Sequence, residues 1–173
     1  MTTPNAANQI ISRVEERDLY LERIFNAPRE LVFKAFSQAE HLKRWWGPKG
    51  WTLPVCNIDF RPGGEWHYCM KCEDEKQEYF GYESWGKAEY KEILEPERIV
   101  YVDSFSDAEG NINEGMPQTI VTMTFFEMDG KTKLLNHGRY ASAEALKTVL
   151  DMGMLQGITE TFNNLDVLLE EIK

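Results

Sequence analysis

Leu155-Gln156-Gly157-Ile158-Thr159-Glu160-Thr161-Phe162-Asn163-Asn164-Leu165-Asp166-Val167-Leu168-Leu169 is the stretch that decides the fold. Leu155, Ile158, Phe162, Leu165 and Leu169 recur at steps of 3, 4, 3 and 4, which puts them on one apolar stripe of an amphipathic helix. Such a stripe needs a sheet to cover it. The chain that precedes it supplies strands: residues 51–126 read as apolar runs separated by turn residues, an antiparallel meander rather than alternating strand and helix units.

Outward from that helix, Ser142 is a candidate N-cap, and Gly153 or Gly157 either kinks the helical segment or marks its true beginning. Lys131–Tyr140 is the last strand, entered through Asp129-Gly130, a pair that suits a tight hairpin turn because both residues tolerate positive φ. Pro62-Gly63-Gly64 and Glu95-Pro96-Glu97 mark further turns, and the charged run 73–78 fits an exposed hairpin tip. The loop 106–117, with Gly110, Asn111, Asn113 and Gly115, is long enough to cover a cavity mouth. On the N-terminal side a strand is expected over residues 18–25, and Pro28 opens a short helix carrying Leu31, Val32, Ala35 and Phe36. Ser37 and Glu40 match a capping box, which predicts a second short helix from Gln38 towards Trp45. Residues 1–17 are polar and are expected to form an extension to a single domain over residues 18–173.

Nineteen basic and 29 acidic side chains give a net charge of −10, so a nucleic-acid backbone or an anionic membrane would be repelled. No stretch approaches the roughly 20 apolar residues of a membrane span, and no leader pattern opens the chain. Cys56, Cys69 and Cys72 are too few for a disulfide framework and suit a reducing compartment, so a cytoplasmic location is expected.

Cys69-Met70-Lys71-Cys72 has the spacing of redox and zinc pairs. It falls within a strand, where side chains three apart point to opposite faces, and this argues against a bridge or a shared metal. His67 with Cys69 supplies only two ligands, and His41 and His137 stand alone. No catalytic residue, metal site or cofactor is expected, and neither a nucleophile elbow nor a phosphate-binding glycine loop is present.

The informative constellation is aromatic. Trp66, Tyr68 and Met70 share one strand face, Ala88 and Tyr90 another, and Val121, Met123 and Phe125 a third. If all three point inwards they oppose Leu155, Ile158 and Phe162, and Asn136 joins them if it shares the parity of Leu134. Large side chains of this kind either fill the enclosed space or line it. Trp45 and Trp46, ahead of a Gly-Pro turn, are placed to close an entrance. The candidate ligand-binding residues are therefore Trp45, Trp66, Tyr68, Met70, Tyr90, Met123, Phe125, Asn136, Ile158 and Phe162.

Asn26-Ala27-Pro28-Arg29-Glu30-Leu31-Val32-Phe33, the segment from His41 through Trp45-Trp46-Gly47-Pro48-Lys49-Gly50, and Arg61-Pro62-Gly63-Gly64 followed by Trp66 together resemble one family. It is the C-terminal-domain family of homologues of the activator of the heat-shock-protein-ninety ATPase, within the START-like, birch-pollen-allergen-like superfamily. The resemblance runs from about Asp18 to Leu169. It implies an α+β helix-grip fold, in which a curved antiparallel sheet wraps around a long C-terminal helix with two short helices near the N-terminus. The expected function is non-catalytic binding of a hydrophobic or aromatic small molecule, lipid- or polyketide-like, between sheet and helix. Two alternatives stay open: a co-chaperone-like module acting on the ninety-kilodalton chaperone, and a cyclase- or dehydratase-like enzyme. The second needs a titratable group inside the cavity, and no inward histidine or carboxylate stands out.

Overall fold

A computed structural model describes residues 9–173, so the first part of the expected extension, residues 1–8, lies outside the described residues. The elements run β1 (Ile11–Glu15), β2 (Asp18–Phe25), α1 (Arg29–Ser37), α2 (Ala39–Trp45), β3 (Trp51–Ile58), β4 (Glu65–Cys72), β5 (Glu83–Leu94), β6 (Arg98–Phe105), β7 (Thr119–Met128), β8 (Lys131–Tyr140), α3 (Ala143–Asp151) and α4 (Met154–Ile172). The strands form one eight-stranded sheet in the order β1-β2-β8-β7-β6-β5-β4-β3, and every pairing is antiparallel. The fold is the α+β helix grip, with the curved sheet around the C-terminal helix.

The period-two pattern places the core. Along β2, Leu19, Leu21, Arg23 and Phe25 are buried and alternate with half-buried residues, so one face of the strand turns towards the helix. The β7–β8 turn takes the expected form: Asp129 and Gly130 both have positive φ, 48° and 82°. The sheet nevertheless starts earlier than residue 18. Residues 11–15 pair with β2 as an edge strand whose side chains are all exposed, so polarity alone gave no sign of it.

One local expectation is corrected, and one left open is decided. The Ser37 hydroxyl donates to the Lys34 carbonyl at 3.0 Å instead of capping α2, whose N-cap is Gln38 without a side-chain hydrogen bond. The C-terminal helical segment is two helices: Ser142 caps α3, accepting from the Ala145 N–H at 3.1 Å, and Gly153, with φ of 84°, ends that run and starts α4. Gly157 lies inside α4 and does not begin it.

Two hydrophobic cores result. In the main one, Phe162, Leu165, Leu168 and Leu169 of α4 meet the sheet and the α1–α2 pair. Phe25 and Phe162 pack edge to face at 5.5 Å, and Phe125 packs against Phe33 and Phe36 of α1 at 5.3 and 5.5 Å. The smaller core joins Leu19, Leu21 and Tyr140 to Leu146 of α3. Arg23, only 2% exposed, forms an ion pair with Asp166 that ties β2 to α4.

Candidate functional site

The two cores are joined through Ile10 and Ile158, which pack against both, and elsewhere they stand apart. Between them lies a cavity of about 400 Å³, bordered by Leu19, Leu21, Tyr140, Val149 and Ile158 on the small-core side and by Phe36, Tyr68, Met123 and Phe162 on the other. That volume falls within the ~300–1,000 Å³ usual for small-molecule sites. It exists because α1 and α2 cover one end of the curved sheet and α3 the other, while α4 crosses the middle with Gly157 exposed to the gap. A Cβ at Gly157 would meet nothing within 4 Å.

Of the candidate residues, Tyr68, Met70, Met123, Asn136, Ile158 and Phe162 border this cavity. Asn136 does share the inward parity of Leu134, and it pairs with Met123 across β7 and β8. Trp45, Trp66, Tyr90 and Phe125 do not border it; all are buried in the main core. Trp45 is 1% exposed, and its indole N–H donates to the Ala35 carbonyl at 3.0 Å. Tyr90 packs against Phe60 and Tyr101. Trp66 is buried with its indole N–H unpartnered, held between Trp46 and Tyr68 at ring distances of 4.8 and 4.3 Å. Among the tryptophan neighbours it is Trp46, half-buried, that reaches the cavity. Phe105 and Pro117, at the two ends of the long loop, also border it.

Asp103 is the residue the sequence reading missed. It follows Ile99 and Tyr101 at the same parity of β6, and so it turns inwards and borders the cavity. The Tyr68 hydroxyl donates to Asp103 Oδ1 at 3.1 Å. That bond crosses a whole strand, since Tyr68 on β4 sits opposite Gly86 on β5, which in turn neighbours β6. Only glycine permits the crossing: a Cβ at residue 86 would lie 2.4 Å from Tyr68 Cζ and 2.5 Å from its hydroxyl oxygen. A glycine in the interior of a strand is the signal that could have pointed to this close approach.

Burial pushes the Asp103 carboxyl up to about 6, against the opposing effect of hydrogen bonds from Tyr68 and the Ser104 N–H. Tyr68 and Tyr101 are driven well above the ordinary phenol value, first by burial and then by the nearby Asp103 carboxylate. Tyr140 is raised by burial and stays neutral in the same space. Among the described residues, no lysine, arginine or histidine borders the cavity. The arrangement is thus a mostly apolar chamber with one carboxylate, several neutral phenols, the Asn136 amide and the hydroxyls of Ser84, Ser104, Thr119 and Thr161 among its polar points.

Cys56, Cys69 and Cys72 are all buried free thiols; burial raises Cys56 and Cys69, which lowers their reactivity. No group of metal-ligating side chains is found among the described residues, and none of their helices is long and apolar enough to cross a membrane.

The family model described as Activator of Hsp90 ATPase homolog 1-like protein matches residues 26–170. The crystal structure of protein Ms6760 from Mycobacterium smegmatis is 31% identical, with a TM-score of 0.81, covering 94% of this chain and 96% of that one. A solution structure from Staphylococcus epidermidis is 26% identical, with a TM-score of 0.76 and coverage of 92% and 93%. One from Arthrobacter aurescens shares the fold at 24% identity, with a TM-score of 0.82 and coverage of 96% and 93%. None of the curated proteins compared matches the chain. Sequence match and architecture agree, and the chain belongs to the Activator of Hsp90 ATPase homolog 1-like family, on a START-like helix-grip fold.

Proposed function

We propose that the protein binds a hydrophobic or aromatic small molecule in the cavity between the sheet and α4. The observation that carries this reading is the gap itself. A chain with enough large side chains to fill its interior instead leaves about 400 Å³ open beside the Ile158 junction of its two cores, and keeps a glycine, Gly157, on the helix that faces the space. Native interiors are ordinarily close-packed, and an unfilled volume of this size costs stability unless something uses it. Apolar surface placed there gains roughly 25 cal/mol per Å² before association costs.

A thermal-shift screen with flat aromatic and lipid-like compounds tests the reading, because a ligand that binds only the folded chain raises its melting temperature. A variant with the cavity blocked at Gly157 serves as control. Shifts in the native chain that vanish in the blocked variant are expected. A broad screen with no shift, or shifts the blocked variant retains, rejects the site.

One observation favours a second reading, an enzyme of the cyclase or dehydratase kind. Asp103, at about 6, is a titratable group inside the chamber and near the pH at which a general base works well. Turnover of a bound compound that is lost in Asp103→Asn would move the function from binding to catalysis. The co-chaperone reading rests on the family description, and stimulation of the chaperone ATPase by this chain would establish it.

A further inference from the structure

Resting on the binding reading above, we propose that the cavity takes an apolar amine, an ammonium group on an aromatic or aliphatic body, and that Asp103 receives the ammonium. The argument starts from what faces the carboxylate. Tyr68 approaches it from β4, Tyr90 lies near it on β5, Tyr101 precedes it on β6 and Tyr140 stands on β8. From β7, α3 and α4 the cavity receives Thr119, Val121, Met123, Val149, Met152 and the Met154-to-Phe162 face, none of them ionisable. Every titratable neighbour is a neutral phenol. Among the described residues the carboxylate therefore has hydrogen-bond donors but no counter-charge.

An ionised carboxylate in such surroundings is costly, and it is relieved either by a proton or by a cation. In the ligand-free protein a proton serves below about pH 6, where the raised carboxyl is neutral. Above that pH the site holds an unpaired negative charge, and an ammonium is its complement. Tyr68 donates to Oδ1 and the Ser104 N–H supports the carboxyl, and neither brings a positive charge. The walls suit the same guest: Trp46, Trp85, Phe105, Tyr101 and Tyr140 surround the space, and aromatic rings attract organic cations. Anionic amphiphiles such as fatty acids are disfavoured, since they would meet Asp103 with no lysine or arginine in the cavity to receive them. The net charge of −10 further draws cations and repels anions at long range.

The test compares phenylbutylamine with its neutral counterpart phenylbutanol by calorimetry on the full chain, at about pH 8 and about pH 5, where Asp103 is ionised and protonated respectively. At the higher pH the amine is expected to bind about tenfold or more tightly than the alcohol, the gain of one charge-assisted hydrogen bond. The gap should close at the lower pH, although the amine stays charged. In Asp103→Asn it should be absent at both pH values while the alcohol still binds. Equal affinities for the two probes at the higher pH overturn the proposal and leave the binding reading intact. An amine advantage that persists in Asp103→Asn, or that ignores pH in the native chain, overturns it likewise. Failure of both probes to bind the native chain rejects the binding reading and this proposal together. The pH comparison on the native chain keeps the test decisive should the variant fail to fold.

Discussion

Filling the cavity from Gly157 separates a used space from a tolerated defect, and the structure sets the size of the effect. Gly157 has ordinary helical geometry inside α4, and a Cβ there meets nothing within 4 Å. Alanine at this position gains helix propensity of about 0.5–1 kcal/mol and displaces nothing. For a chain of this size such a gain raises the melting temperature by roughly 1–4 °C. Leucine adds burial of its side chain in the gap, worth up to about 1.5–3 kcal/mol, and removes room for a guest. Gly157→Ala and then Gly157→Leu should thus climb in stability in scanning calorimetry, while ligand-induced shifts shrink and disappear. This position is a cleaner block than Phe162, which is 1% exposed and already packed against Phe25 and Trp45. If leucine lowers the melting temperature, the gap is not open as described. If leucine stabilises but binding persists, the ligand sits elsewhere.

Three further outcomes are expected. Gly86→Ala should lower stability by about 1–3 kcal/mol in urea denaturation, because the new methyl group collides with the Tyr68 ring; a neutral result would mean that Tyr68 does not lie over β5. Asp166→Ala should cost about 3–5 kcal/mol by leaving the buried Arg23 without its partner, and a loss below about 1 kcal/mol would show that Arg23 finds solvent. Asp103 has a folded-state value raised from 3.8 to about 6, so the native chain holds the extra proton between those values and loses stability as pH rises through them. At about 1.4 kcal/mol per unit this amounts to at most about 3 kcal/mol, and Asp103→Asn should be the more stable protein at neutral pH; denaturation curves that keep the same slope in the variant would refute the assignment.

The stripe on the last helix and the parities of β4 and β7 were legible because burial on one face leaves a period in the sequence, 3.6 for α4 and 2 for a strand, whereas apolar residues on both parities blur it in β2 and β8. Parity turns Tyr68 and Met123 inwards, and Asn136 on the condition that it shares the face of Leu134, which it does. Parity alone could not say which stretch of an inward face would be covered: α1 closes over Phe125, Trp46 just past α2 over Trp66, and Phe60 over Tyr90, through contacts distant in sequence. The capping box failed because a local match competes with other partners, and the Ser37 hydroxyl found the Lys34 carbonyl. Asp103 went unread although Ile99 and Tyr101 fix its direction; an acidic residue at an inward position runs against ordinary burial preferences, and that conflict was itself the clue.

The smaller core rests on Leu19, Leu21, Tyr140 and Leu146, far fewer side chains than hold α1, α2 and the lower part of α4. Local opening costs least where least is buried, so amide protons of α3 should exchange faster than those of β6 and β7. Undocking of α3 would uncover Val149, Met152 and the start of α4 without breaking a single rung of the sheet. A molecule lodged against α3 in the cavity would slow that exchange in proportion to its occupancy, so the amides of one short helix become a reporter of the filled state.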